Sequence, residues 1–551
     1  MRKFIMVLVA LLVLVGTTVT VFAGQDKEIA KEPEVSFIGD SNGNRLADDL
    51  DLKLVGANAG DKIACVVMLT VAPSDNFLNG LKTEAGGFET TAVWDLALNG
   101  FAADLTAGQI NGLAHNKFVQ RIDYDREYFA TMGTATLWTG VQQARTDFGV
   151  TGSRDSSETT YSTTDVVVCV LDTGIYNGHV DLDGGKVIGW KDYINSRTTP
   201  YDDHGHGTHC SGIATGTGEG NSSYKGVAPG AALVGVKVLN SAGSGTTTQI
   251  VNGVNWMISN KSLYNIRIGS MSLGSTGSSD GTDAISVAVN NAVTNGIVMI
   301  VAAGNAGPAT YTVGAPGAAA SAITVGALLD PGEKGWSLAY FSSRGPTADG
   351  RTKPEICAPG YNVMSVKANT LNSYVAMSGT SMATPFCAGI VALMLDANNG
   401  LTVSGVKSIL YASGNVKDFG PAGFEKDFGY GIALAYNDVK QAIGGTTSWT
   451  DGLTFTYKYD SLSATGNYDD WYFTVTDSTK PIGITFIIDG WTSSKDFDIY
   501  LYNPSGTQVA SALGSTRQET ISYQPTVTGQ FRLKVLSYAG SGNYWYNISW
   551  K

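Results

Sequence analysis

Four side chains have the types and surroundings needed to break an amide bond by nucleophilic attack: Asp172, His206, Asn305 and Ser381. A serine hydroxyl is too weak an acid to attack unaided, so an imidazole must take its proton. A carboxylate on the other ring nitrogen fixes the tautomer and stabilises the imidazolium. Val170-Leu-Asp172-Thr-Gly174 ends an apolar run with that carboxylate, and His204-Gly-His206-Gly-Thr-His209 opens a helical stretch with the imidazole. Ser378-Gly-Thr-Ser381-Met-Ala-Thr-Pro385 opens a long apolar helix. There the positive end of the dipole and free N–H groups face a developing oxyanion. Another apolar run ends in Ala303-Gly304-Asn305, whose carboxamide can donate to the same oxyanion. The expected roles are nucleophile for Ser381, general base for His206, orienting carboxylate for Asp172 and oxyanion donor for Asn305.

Rival chemistries fit less well. Asp-Thr-Gly is also an aspartic-peptidase signature, but that mechanism needs two carboxylates sharing a proton, and the tripeptide occurs once. His204-x-His206-x-x-His209 resembles a zinc-hydrolase cluster, which wants Asp where Thr208 stands and further distant histidines. Only His115 and His179 remain, so no catalytic metal is expected, and His179, His204 and His209 read as structural. A degenerate scaffold that merely presents its C-terminal region is opposed by the four intact residues. Cys169, Cys210, Cys357 and Cys387 stand among apolar or small residues, as buried free thiols do. Cys210 and Cys387 lie near His206 and Ser381 in sequence, so mercurials should inhibit by crowding the site.

The Asp…His…Ser order and the four motifs resemble those of subtilisin-like serine proteases over residues 135–440. The resemblance implies a secreted endopeptidase made as an autoprocessed zymogen, with polypeptide substrates. It further implies that Ser272-Leu273-Gly274 and the opposing Gly243-Ser244-Gly245 hydrogen-bond substrate backbone as strands, with Gly304 beside them. Gly314 matches the base of the main specificity pocket, where a glycine would leave room for large apolar or aromatic residues before the scissile bond. Asp181 matches a calcium ligand of the family, but the loop 215–226 lacks the Asn-bearing pattern that completes the site, which argues against calcium there.

The elements that must position these residues are legible too. Segments 166–171, 233–237, 268–272, 296–302 and 322–325 are short, apolar and β-branched, like buried parallel strands. Helical patterns at 247–260, 282–294 and 381–397 alternate with them. Such alternation predicts an α/β fold with a doubly wound parallel sheet and a site at the strands' C-terminal ends.

Around this catalytic domain, assigned to 133–445, other segments differ in kind. Met1-Arg2-Lys3, an apolar run and Val21-Phe22-Ala23 read as a signal peptide over 1–23. No later stretch is apolar enough for a membrane anchor. Residues 60–128 show a β-α-β-β-α-β order, an α+β ferredoxin-like plait whose place before the catalytic domain suggests a propeptide (24–132); the family resemblance implies that it acts as chaperone and inhibitor. Its cleavage is expected near Met132, with 130–135 threaded into the active site. Asp40, Asn42, Asn44, Asp48 and Asp51 form a candidate Ca²⁺ loop resembling EF-hand-like and thrombospondin type 3 repeats, with Arg45 at the place of the turn glycine. After a Gly444-Gly445 linker, five of the ten Trp fall in 446–551, among alternating runs that predict an all-β sandwich. That domain resembles the bacterial pre-peptidase C-terminal domain, in which Asp496 and Asp498 are calcium candidates. The net charge of −12 excludes a general nucleic-acid binder, and a monomer is expected.

Overall fold

The structure, a computed structural model, describes residues 44–46, 50, 51, 54, 57, 58, 60–94, 100–124, 132–332, 334–447 and 449–551. The signal segment 1–23, the calcium candidates Asp40, Asn42 and Asp48, and residues 130 and 131 of the threading segment lie outside them.

The first unit runs β1 (Lys62–Leu69), α1 (Asp75–Glu84), β2 (Thr90–Trp94), β3 (Gly100–Thr106), α2 (Ala107–Ala114) and β4 (Val119–Tyr124). Alternate residues of β1 are buried, the period a one-sided sheet requires. Thr106 and Gln109 close a reciprocal capping box on α2. The antiparallel sheet has the order β2-β3-β1-β4, as the plait reading predicts. Leu46 and Leu50 join its core, and Arg45 adopts φ 66, so the arginine itself makes the left-handed turn a glycine would make.

The second unit opens with α3 (Met132–Trp138) and α4 (Val141–Phe148), followed by β5 (Val167–Asp172), β6 (Val187–Asp192), α5 (His206–Thr215), β7 (Ala232–Lys237) and α6 (Thr247–Ser259). Then come β8 (Ile266–Met271), α7 (Ala284–Thr294), β9 (Val298–Ala302), β10 (Ile323–Leu329), β11 (Ser337–Leu338) and β12 (Ile356–Pro359). The hairpin β13 (Val363–Val366) and β14 (Tyr374–Met377) leads into α8 (Thr380–Ala397), α9 (Val403–Leu410), β15 (Val416–Lys417), β16 (Ile432–Ala433) and α10 (Ala435–Ala442). The main sheet is ten-stranded, in the order β15-β16-β12-β10-β9-β8-β5-β7-β6 with β11 on β10. From β12 to β6 its neighbours are parallel. From β5 the chain goes out to the edge strand β6, comes back to insert β7 between the two, and then lays β8 on the other side of β5. That reversal creates a crevice at the C-terminal ends of β5 and β8. The apolar helix α8 is buried in the core, packed against β8, β9 and β10.

The α3 helix corrects one expectation. Met132 to Ala135 do not thread into the cleft: they begin a helix on the catalytic unit, with Ala135 buried in the main core and Thr134 Oγ1 donating to Asp330 at 3.2 Å.

The third unit is a sandwich of β17 (Thr454–Leu462), β18 (Tyr468–Val475), β19 (Ile482–Ile488), β20 (Asp496–Tyr502), β21 (Gln508–Ala512), β22 (Gln518–Tyr523), β23 (Gly529–Ala539) and β24 (Gly542–Trp550). Its two antiparallel sheets have the orders β17-β24-β19-β22 and β18-β23-β20-β21. The sandwich is packed against the catalytic unit. Trp336, Leu338, Phe419 and Phe428 share one buried cluster with Leu453, Ile487 and Trp545.

Candidate active site

Asp172 is the last residue of β5, and its Oδ1 receives the backbone N–H of Thr173 at 2.7 Å. His206 is the first residue of α5, with Nδ1 2.7 Å from the same Oδ1. Both side chains are buried. The two elements meet this closely because Gly207 has no side chain: a Cβ there would run into the Gly174 carbonyl and lie 3.0 Å from Asp172 Cβ. Burial disfavours the imidazolium, but the charge of Asp172 and its hydrogen bond to the ring outweigh it and hold the His206 pKa well above its ordinary 6.5.

Two positioning residues were not read from the sequence. Asp202 caps α5: Oδ2 receives Thr208 N–H at 2.9 Å and Thr208 Oγ1 at 2.6 Å, and Oδ1 receives Gly205 N–H at 2.8 Å. It also accepts Thr173 Oγ1 at 3.0 Å, tying the imidazole's helix to the carboxylate's turn. An Asp just before an apolar helix is a capping signal that could have revealed it. The second, Lys237, is a buried ammonium that donates to the Thr173 carbonyl and to Asp203 Oδ1 at 2.6 Å, bracing the same two segments.

Ser381 stands in the first turn of α8, where backbone N–H groups have no intrahelical carbonyl. Four residues on, Pro385 lacks the N–H that would bond the Ser381 carbonyl. That carbonyl instead accepts Ser272 Oγ at 2.8 Å and Cys210 Sγ at 3.4 Å. The proline thus frees the group that anchors the serine to β8 and α5. Ser381 Oγ donates to the Ser272 carbonyl at 3.3 Å, and Cys210 Sγ lies 4.0 Å from His206 Nε2.

Asn305 follows β9. Its Oδ1 accepts the N–H of Thr380 at 2.9 Å and Thr380 Oγ1 at 3.0 Å, which orients Nδ2 toward the cleft. A Cβ on Gly379 would lie 3.3 Å from Asn305 Nδ2 and 3.7 Å from Ser381 Cβ, so amide and serine flank one small space. The structure therefore brings Asp172, His206, Asn305 and Ser381 to one end of the sheet, with Ser272 beside them.

The substrate-binding candidates fall less simply. Ser272, Leu273 and Gly274 extend β8 beyond its last sheet residue, and Ser272 and Leu273 are buried. Gly243, Ser244 and Gly245 are not a strand. Asn240 closes a turn with them, donating N–H to the Ser244 carbonyl at 2.8 Å and receiving Gly243 N–H at 2.9 Å. Gly304 has φ 105, a left-handed conformation. A Cβ on Gly314 would lie 2.5 Å from the Ser275 carbonyl and 2.9 Å from that of Gly277, so close backbone approach is what requires glycine there.

The remaining candidates are engaged elsewhere. His179 Nε2 bonds the Ser373 carbonyl at 3.0 Å and His209 Nε2 that of Val375 at 2.9 Å. Asp181 receives Tyr374 OH at 3.1 Å on both oxygens and Gly220 N–H at 3.0 Å. In the plait, Asn44 Nδ2 donates to Asp51 Oδ1 at 3.0 Å and Oδ2 at 2.9 Å. In the sandwich, Asp496 Oδ1 is buried without a hydrogen-bond partner, and burial pushes Asp498 up to about 6. Glu519, overlooked in the sequence, has a buried, partnerless Oε1, and burial pushes its pKa up to about 9, with the charges of Asp498 and Asp496 adding to it. All five cysteines are free and buried.

Strand-end carboxylate, helix-opening imidazole and helix-opening serine on a doubly wound sheet define a serine endopeptidase of the α/β class. Comparison with known proteins narrows this. The Subtilase family (Peptidase S8) pattern matches residues 163–431, and the Bacterial pre-peptidase C-terminal domain pattern matches 467–537. The chain is 40% identical over 343 residues to Serine protease AprX of Bacillus subtilis (strain 168), covering 57% of this chain and 73% of that protein. It is 36% identical to Subtilisin DY of Bacillus licheniformis (45% and 84% covered) and 34% identical to Thermitase of Thermoactinomyces vulgaris (44% and 78%). The chain belongs to the subtilase family.

Proposed function

We propose that this subtilase is an exported, self-processing endopeptidase working through an acyl-enzyme on Ser381. The observation that carries the reading is the buried 2.7 Å pairing of His206 Nδ1 with Asp172, beside a serine and an oriented carboxamide. On substrate binding, Ser381 Oγ rotates from the Ser272 carbonyl toward His206 Nε2. The imidazole takes its proton as the oxygen attacks the scissile carbonyl carbon. Charge on the carbonyl oxygen is met by Asn305 Nδ2 and the Ser381 N–H. His206 then protonates the leaving amine, the C–N bond breaks, and a water, deprotonated by the same imidazole, releases the acyl group.

Substrate backbone lies along Ser272–Gly274 and the turn at Gly243–Gly245, with preference for large apolar or aromatic residues before the scissile bond. The leader 1–23 directs export, and the plait is the inhibitory propeptide. Helical packing of 132–138 supports processing within 125–131, upstream of that helix. Structural calcium is supported by the partnerless buried oxygens of Asp496 and Glu519, which with Asp498 offer the hard oxygen donors the ion takes. Labelling of the processed protein with a fluorophosphonate tests the central reading: an adduct on Ser381 is expected, and its absence would overturn it.

A further inference from the structure

The C-terminal sandwich places a side chain directly against the oxyanion side of the site. Arg517, immediately before β22, is buried, and its Nη1 donates to the carbonyl of Pro308 at 3.2 Å. Pro308 lies three residues beyond Asn305 on the same loop. We propose that Arg517 is a positioning residue for this oxyanion loop, which makes the C-terminal domain a working part of the active site; the inference rests on the reading of Asn305 as oxyanion donor.

The loop Gly304–Thr312 is held on its inner side by the catalytic unit. Ala306 N–H donates to Ser343 Oγ at 3.1 Å, Gly307 N–H to the Phe341 carbonyl at 2.8 Å, and Ser343 N–H to the Gly304 carbonyl at 2.8 Å. Its far part is tied to the sandwich twice. Arg517 holds Pro308. Arg344 exchanges backbone bonds with Thr312, its N–H donating to Oγ1 at 2.8 Å and its carbonyl receiving N–H at 3.0 Å. The Arg344 guanidinium, fully buried, donates to Gln518 Oε1 of the sandwich at 2.6 Å.

Arg517 is itself fixed. It donates to both oxygens of buried Asp427, at 2.6 and 2.8 Å, and Asp427 Oδ1 also lies 3.6 Å from Arg344 Nε. A planar guanidinium with two bonds to one carboxylate has no freedom left to swing, so its bond to Pro308 sets a position as well as a distance. Docking of the two domains does not rest on it alone, because the cluster around Trp336 and Trp545 also joins them. The guanidinium's remaining bond goes to the loop that carries the donor. Oxyanion stabilisation is a matter of placement, and a shift of about 1 Å can cost 10²-fold in rate.

The test is a double-mutant cycle in the full, processed chain, read as kcat and KM on a chromogenic peptide amide. Arg517→Met is expected to lower kcat roughly tenfold with KM within about twofold, in protein that still unfolds cooperatively. In the Asn305→Ala background the same change is expected to alter kcat by less than about twofold, since the donor it positions is gone. An equal loss in both backgrounds, or none in either, would overturn the inference. Arg517→Lys keeps the charge opposite Asp427 without the planar fork and is read through the same cycle if R517M does not fold. Unchanged kcat in Asn305→Ala alone would instead overturn the oxyanion reading, whatever Arg517 does.

Discussion

The pairing of Asp172 with His206 makes catalysis depend on pH in a definite direction. A general base must be neutral, and the imidazole's pKa is held well above 6.5 because the charge and hydrogen bond of Asp172 outweigh burial. Activity is therefore lost as pH falls through that raised value, and the acid limb of the kcat profile is expected above pH 6.5. The stability this pairing gives runs the other way: it is fully present below the unfolded imidazole value and fades as pH rises through the folded one. Asp172→Asn should lower kcat about 10⁴-fold and move the acid limb down. A limb at or below 6.5 in the unaltered enzyme would contradict the pairing's role. Cys210, with Sγ 3.9 and 4.0 Å from the two ring nitrogens, supplies a second residue-scale expectation. An organomercurial should inactivate slowly, since the thiol is buried, and Cys210→Ala should abolish the sensitivity; unchanged sensitivity would place the target elsewhere. The four chemical residues were legible because each ends or opens an apolar run. Asp202 and Lys237 were not, because they act on the backbone of neighbouring turns, a task that leaves no motif beyond a single capping carboxylate.

Elements bring these residues together, and their ends matter more than their interiors. Asp172, Ser272 and Asn305 all sit at or just past the C-terminal ends of β5, β8 and β9, strands whose apolar runs announced them. Less legible were β6, whose burial is only partial, and the two- to four-residue strands on the sheet's far side, too short to show a period. The strand expected at Gly243–Gly245 rests on the family resemblance alone, with no alternation of its own to support it. In the free fold, the Asn240 side chain and backbone close that segment as a turn. The helix α3 moves the expected processing site upstream. Ser381→Ala should accumulate a precursor retaining the plait, while the active enzyme should begin within or just after 125–131; N-terminal sequencing reads both. Normal processing of S381A would assign the cut to another protease. In the sandwich, Asp498 at about 6 and Glu519 at about 9 must lose protons to bind a dication, so calcium should raise the melting temperature more at pH 8 than at pH 5. Asp498→Asn should remove most of that rise, and a melting temperature indifferent to calcium would remove the metal from the account.

At the scale of the whole molecule, the three units are unequal partners. The composition change after Gly445 suggested a tethered module, since length and patterning show where a domain begins but not what its surface covers. The structure packs that surface against the catalytic unit. Leu338 N–H donates to Thr485 Oγ1 at 2.9 Å, Trp336 Nε1 to Asp451 at 2.7 Å, and Lys417 pairs with Asp451 at 2.7 Å. Removing residues 446–551 would expose Trp336, Leu338, Phe419 and Phe428, at about 1.5–3 kcal/mol each. It would also strip Asp427 of Arg517 inside a buried network, where breaking a pair costs about 3–5 kcal/mol. Together these are comparable to the about 5–15 kcal/mol that keeps a typical protein folded. The active enzyme is therefore expected to retain its sandwich: the intact mass of the purified active enzyme should include residues 446–551. A chain ending at Gly445 should show no cooperative unfolding transition. If it melts as the full enzyme does and turns over substrate at the same rate, the interface is dispensable, and the sandwich serves a task outside catalysis.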